Sequence, residues 1–109
     1  GSKDASAHML LGAVLVESGE QDAAQKALQT ALWLEPGHAP AAYWLGRSYA
    51  AQGNGAAAVM QYQKAITRKP EYWPARWSLV EHFERAGDGA AAIGQLQRIL
   101  EGESGGVYG

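Results

Sequence analysis

The chain has 109 residues, an apolar share of 47% and a formal net charge of −2: one domain's worth, with enough apolar content for a core and without the strongly basic balance of a nucleic-acid binder. It contains no cysteine, which excludes disulfides and thiolate metal sites. No apolar run approaches the roughly 20 residues that cross a bilayer, and no signal-peptide pattern is visible.

Gly1 and Ser2 read as a protease scar, residues 1–4 as a leader, and the whole as a piece of something larger. The expected compartment is the cytoplasm, with the periplasm left open. From residue 5 onward Leu11, Val14 and Leu15, and then Ala24, Ala27, Leu28, Ala31 and Leu32, recur at three- and four-residue spacing. That is the helical period, so the first segment reads as two helices. Between them lies "ESGEQD", residues 17–22. Gly19 can take the positive φ that ends a helix, and the acidic residues suit the N-terminus of the next one.

The stretch "ALWLEPGHAPAAYWLGRSYAAQG", residues 31–53, has a helix-forming composition broken by Pro36, Gly37 and Pro40. The break recurs, with Pro36 matching Pro70 at an offset of about 34 residues, a period that signals a repeat architecture. The same offset carries Leu11 onto Leu45 and Leu79, and Gly19 onto Gly53 and Gly87. The turns "AQGNGA" and "RAGDGA" repeat the first turn in the second and third units. Three units follow: 5–36, 39–70 and 73–102, together one domain over 5–102. Pro36 and Pro70 are expected to stop the second helix of a unit, and Pro40 and Pro74 to sit in the first turn of the next helix.

Small residues at fixed places predict close helix approach. Gly12 and Gly46 lie mid-helix, where glycine costs about 1 kcal/mol relative to alanine. Ala24, Ala58 and Ala92 occupy the matching place on the second helices. After the third unit, "EGESGGVYG" (the end of the chain) predicts a flexible tail over 103–109.

Leu-Gly on the first helix, a large residue three positions on, glycine at the turn, then Ala, a large apolar residue, Ala and Pro: this pattern resembles the tetratricopeptide repeat family over about nine tenths of the chain. The resemblance implies an all-α fold, a right-handed α-solenoid of three helix-turn-helix units, or six antiparallel helices, whose first helices line a concave groove. It implies binding of a peptide or partner protein and no catalysis. Departures from the pattern are His8, Ala42 and Arg76 where tryptophan is usual, Val80 where glycine is usual, and Ile99 and Ser104 in place of alanine and proline. The last two imply that no fourth repeat docks on this end. Residues 31–53 also resemble repeats appended to bacterial chemotaxis-receptor methyltransferases, and equally those of bacterial pilus, secretion and polysaccharide assembly proteins. In such a parent this segment would be the regulatory or docking part.

By the same resemblance the groove-facing positions are Ser6, Met9, Ala13 and Val16 in the first unit, Pro40, Tyr43, Arg47 and Ala50 in the second, and Pro74, Trp77, Glu81 and Glu84 in the third. Met9, Tyr43 and Trp77 are equivalent, so they are expected to form a stripe across the groove. Arg47, Glu81 and Glu84 would give it polarity, through an internal salt link or a mixed-charge peptide. The family's clamp for chaperone C-terminal carboxylates lacks its lysine and asparagine here, and only Arg47 could serve.

A catalytic, metal-binding or cofactor site is not expected. His8, His38 and His82 fall at different repeat positions, and the two-histidine spacing of metalloproteases is absent. Glu81 and Glu84 read as a solvated or groove-lining charge set. His82 reads as a half-buried packing residue or, alternatively, a pH-sensitive contact. Trp33 stands where the other units have Thr67 and Glu101, so it is expected to face outward, as a possible contact surface. The rival to peptide capture is self-association through Trp33 or through the last helix, where Ile93, Leu96, Ile99 and Leu100 would lack a cap.

Overall fold

The computed structural model describes residues 2–108, with side chains described over 3–102. It forms α1 (Ser2–Glu17), α2 (Gln21–Leu34), α3 (Ala39–Ala51), α4 (Gly55–Arg68), α5 (Trp73–Ala86) and α6 (Gly89–Tyr108), with no strand among the described residues. The tail expected at 103–109 lies outside the residues whose side chains are described. The helical backbone of α6 runs on to Tyr108.

The repeated turn chemistry sets these boundaries. Gly19, Gly53 and Gly87 end the first helix of each unit in the left-handed region, at φ of 83°, 80° and 77°, where a Cβ would crowd the carbonyl. The next helix then starts on a cap in two of the three turns. Asn54 Oδ1 accepts from the Ala57 N–H at 3.2 Å, and Asp88 Oδ1 from the Ala91 N–H at 3.1 Å. Such caps satisfy N–H groups that have no partner inside the helix.

Between units the prolines act as their positions predict. Glu35 and Lys69, just before Pro36 and Pro70, are extended, at φ of −142° and −137°. The proline ring disfavours helical geometry in the preceding residue, so α2 and α4 stop there. Pro40 and Pro74 occupy the first turns of α3 and α5, where the missing N–H is harmless. His38 caps α3, its Nδ1 accepting from the Ala41 N–H at 3.2 Å. That acceptor role places the ring proton on Nε2, which faces Ser6 Oγ of α1 at 3.4 Å and ties the first two units together.

Helices pair within units, α1 with α2, α3 with α4 and α5 with α6, and the units stack through α2 on α3 and α4 on α5. Gly12 lies against the Leu28 side chain and Gly46 against the Tyr62 ring, so the mid-helix glycines do mark close approach. Ala24, Ala58 and Ala92 are all buried. Two apolar clusters make the core. One joins Val16, Ala24, Leu28 and Leu45; the other joins Ala39, Ala42, Ala58, Tyr62, Ala65, Ala75 and Leu79. Arg76, in the place of the usual tryptophan, is buried too. Its Nε donates to the Pro70 carbonyl at 2.8 Å and its Nη1 to Gln95 Oε1 at 2.9 Å.

One asymmetry positions the site. α1 packs directly on α3, whereas α3 and α5, the same pair one unit on, barely meet. Side-chain volume accounts for it. The α3 positions that match Met9 and Ala13 of α1 are Tyr43 and Arg47, and these larger groups stand in the interval before α5.

Candidate functional site

The interval between α3 and α5 is a cleft of about 610 Å³, with the start of α4 contributing Gly55 and Ala58 to its lining. Tyr43 and Arg47 line it from α3, and Trp77, Ser78, Glu81, His82 and Arg85 from α5.

Tyr43 is held by rings on several sides. Its centroid lies 5.3 Å from Trp44, 6.1 Å from Tyr62 and 5.7 Å from Tyr72, with edge-on geometry to Trp44 and Tyr72. Arg47 Nη1 donates to Tyr43 Oη at 3.1 Å, and the guanidinium lies 4.9 Å from the centre of a Trp44 ring. The Tyr43 hydrogen bond holds the Arg47 pKa above its ordinary value. Tyr62, beneath, has its phenol pushed up by burial, an effect opposed by a hydrogen bond with Ser78.

Across the cleft Trp77 is 48% exposed, a large apolar surface at the wall of a cavity. Glu81 pairs with Arg85 one turn on, at 3.8 Å. Both are exposed, so the pair adds little stability; among the described residues no ion pair joins Arg47 to either glutamate of α5, and the carboxylate that acts on it is Glu17 of α1, at longer range. The salt link from Arg47 to Glu81 or Glu84 considered above is therefore not formed.

The structure brings together Tyr43, Arg47, Trp77 and Glu81 of the expected site residues. Met9 and Glu84 do not line the cleft. Met9 packs on the first core cluster, and Ala13 and Val16 of the same helix are buried, because α1 lies against α3. Glu84 is exposed. Trp33 faces outward, 81% exposed, away from the cleft lining. His82 is half-buried at the cleft wall, edge-on to Phe83 at 5.4 Å. Sequence reasoning missed Tyr62, Ser78 and Arg85 as lining residues. The signal for Tyr62 was its phenol at a place where the other units carry Leu28 and Leu96.

A second cleft of about 580 Å³ lies on the other side of the stack, lined by Leu32, His38, Leu45, Met60, Lys64 and Arg68 among others. Among the described residues no three His, Asp or Glu side chains gather as metal ligands, and no helix is long and apolar enough to cross a membrane.

Three helix pairs stacked in one direction, with a cleft opening between first helices, define an α-solenoid of short helical repeats. The chain belongs to the tetratricopeptide repeat family, whose model matches residues 9–72 and 48–106. It is similar to the crystal structure of MamA, with 30% identity and a TM-score of 0.88, covering 100% of this chain and 64% of that one. A second MamA protein crystal structure gives 32% identity and a TM-score of 0.82, covering 95% of this chain and 57% of that one. The chain thus spans less than two thirds of the length of either. No curated protein matches the sequence. Tetratricopeptide repeats generally mediate protein–protein interaction and are generally non-catalytic.

Proposed function

We propose that this chain is a docking module that captures a peptide segment of a partner protein in the cleft between α3 and α5. The observation that carries the reading is Trp77, about half exposed on the wall of a cavity whose opposite wall is Tyr43 and Arg47. Aromatic and arginine side chains dominate binding hot spots, and a half-exposed tryptophan still has area to bury. Tyr43 is fixed by its ring contacts, so little side-chain entropy is lost when a ligand packs on it. Arg47 offers remaining N–H donors to an acidic group of the peptide, while the Glu81–Arg85 pair offers one of each charge. Within a larger bacterial protein the module would act as a regulatory or docking segment.

The test is a library of linear peptides displayed on phage and selected on the protein, with the Trp77→Ala variant as the counter-selecting bait. Recovered peptides should bind the wild type and lose at least about tenfold in affinity on Trp77→Ala. Peptides that bind both proteins equally would refute the cleft as the site.

A further inference from the structure

The cleft of about 580 Å³ bounded by α2, α3 and α4 has a counterpart one repeat on. Moving Pro36, Ala39, Ala42 and Lys64 of its lining by the repeat offset gives Pro70, Trp73, Arg76 and Arg98, which line a cleft of only about 370 Å³. Side-chain volume explains the difference, because Trp73 and Arg76 stand where the earlier unit has two alanines. Arg76 is 6% exposed and bonded in two directions. Its Nε donates to the Pro70 carbonyl at 2.8 Å and its Nη1 to Gln95 Oε1 at 2.9 Å.

Gln61 matches Gln95 and lines the larger cleft together with Ala42. With alanine in the place of Arg76, no guanidinium reaches this amide, and Gln61 Oε1 is buried with no hydrogen-bond partner among the described residues. A buried acceptor left unpaired costs stability, and native proteins keep few of them. Units already stack on both sides of this cleft, α2 on α3 and α4 on α5, so a further repeat at either end of the array would not reach it. The rim charges differ as well. In the third unit Glu71 and Glu101 line the cleft beside Arg98, and Glu101 pairs with Arg98 at 4.0 Å. Their matches in the second unit are Gly37 and Thr67, while Lys64 and Arg68 stand one turn apart on α4. The larger cleft is thus lined by cations and by no carboxylate.

We propose that this cleft is a second docking site, which takes an arginine of a partner protein flanked by acidic residues. The arginine lies beside Ala42 as Arg76 lies in the next unit, with its N–H groups on Gln61 Oε1 and the Pro36 carbonyl. The acidic neighbours do for it what Glu71 and Glu101 do in the third unit, and they face Lys64 and Arg68. A guanidinium alone would be repelled there; even at Arg76, burial and then the charge of Arg98 pull the pKa below its ordinary value. Leu32 and Met60, the latter 57% exposed, offer apolar surface to the arginine stem. The site shares no lining residue with the cleft between α3 and α5 and is independent of peptide capture there.

The test is a selection of linear peptides displayed on phage, made on the chain carrying Trp77→Ala so that the first cleft is disabled, with Ala42→Arg added in the counter-selecting bait. Ala42→Arg supplies the guanidinium from within, so it should raise the midpoint of thermal unfolding and close the site. Recovered peptides should share an arginine next to Asp or Glu. Changing that arginine to leucine, or introducing Gln61→Leu, should weaken binding at least about tenfold, and Lys64→Glu should weaken it too. If Ala42→Arg loses its helical circular dichroism, Gln61→Leu takes its place as the counter-selecting bait. Peptides without a shared arginine, peptides that bind the Gln61→Leu chain as tightly as its parent, or a selection that recovers none would overturn the second site and leave capture between α3 and α5 standing.

Discussion

Tyr62 closes over Gly46 so tightly that a methyl group on that glycine would sit 2.6 Å from Tyr62 Cε1 and 3.1 Å from the Ala58 carbonyl oxygen. The helix pair α3–α4 is therefore set by the absence of a side chain at one position. Gly94 in α6 is the opposite case, with open space around the same point. Gly46→Ala should destabilise the protein by about 1–2 kcal/mol, because overpacking of roughly 1–3 kcal/mol outweighs the gain in helix propensity. Gly94→Ala should stabilise it by about 0.5–1 kcal/mol. Urea unfolding of the two variants checks the pair, and equal signs would contradict the packing described.

Arg76 is a buried cation held by the Pro70 carbonyl and Gln95. It bonds the backbone of the inter-unit turn to α6, so it orders the third unit from both sides. Arg76→Ala should cost about 2–3 kcal/mol, the range for hydrogen bonds made by a charged group together with lost stem packing. Arg76→Lys should recover only part of this, since one ammonium lacks the planar fork that reaches two acceptors in different directions. Thermal unfolding of both variants measures the difference.

Tyr62 and Tyr72 have phenol pKa values raised chiefly by burial. Below the ordinary tyrosine value of about 10 both states hold these protons and stability does not respond. Above it the unfolded chain releases protons that the folded chain keeps, so stability falls as the pH rises toward the folded values. Denaturation midpoints measured from pH 8 to 11 should fall at the alkaline end, and Tyr62→Phe should flatten that fall. An unchanged slope would mean that Tyr62 does not contribute.

The fold was legible because its punctuation is local. Pro36, Pro40, Pro70 and Pro74 act on their own and neighbouring dihedrals, and Gly19, Gly53 and Gly87 take a backbone geometry that other residues avoid. The site was legible only in part. Repeat equivalence groups Met9, Tyr43 and Trp77, but it carries no information on how far successive units splay. The splay depends on volumes across an interface, where Ala13 in one unit is replaced by Arg47 in the next, and so Met9 packs on the first core cluster outside the cleft while Tyr43 and Trp77 line it. The cap formed by His38 was hidden for another reason. Imidazole is an uncommon capping group, and its Ser6 partner lies a whole unit away.

Trp77 and Trp33 are both exposed, and only the first lines the cleft. Trp77→Ala should therefore cost peptide affinity, at least about tenfold, with little change in helical content. Tyr43→Ala should cost less affinity and some stability, since its ring also packs against the core cluster of Tyr62. Trp33→Ala should leave both unchanged. Calorimetric titration with one selected peptide, alongside circular dichroism, separates the three.

The partner cleft is tested most directly through the indole N–H signals of the four tryptophans, Trp33, Trp44, Trp73 and Trp77, in NMR spectra recorded as a selected peptide is added. Trp77 lies in the cleft lining and Trp44 lies under Arg47, so both signals should move, Trp77 the more. Trp33 and Trp73 lie outside that lining and should stay in place. A titration in which Trp33 or Trp73 shifts while Trp77 does not would put the partner on another face and contradict capture between α3 and α5.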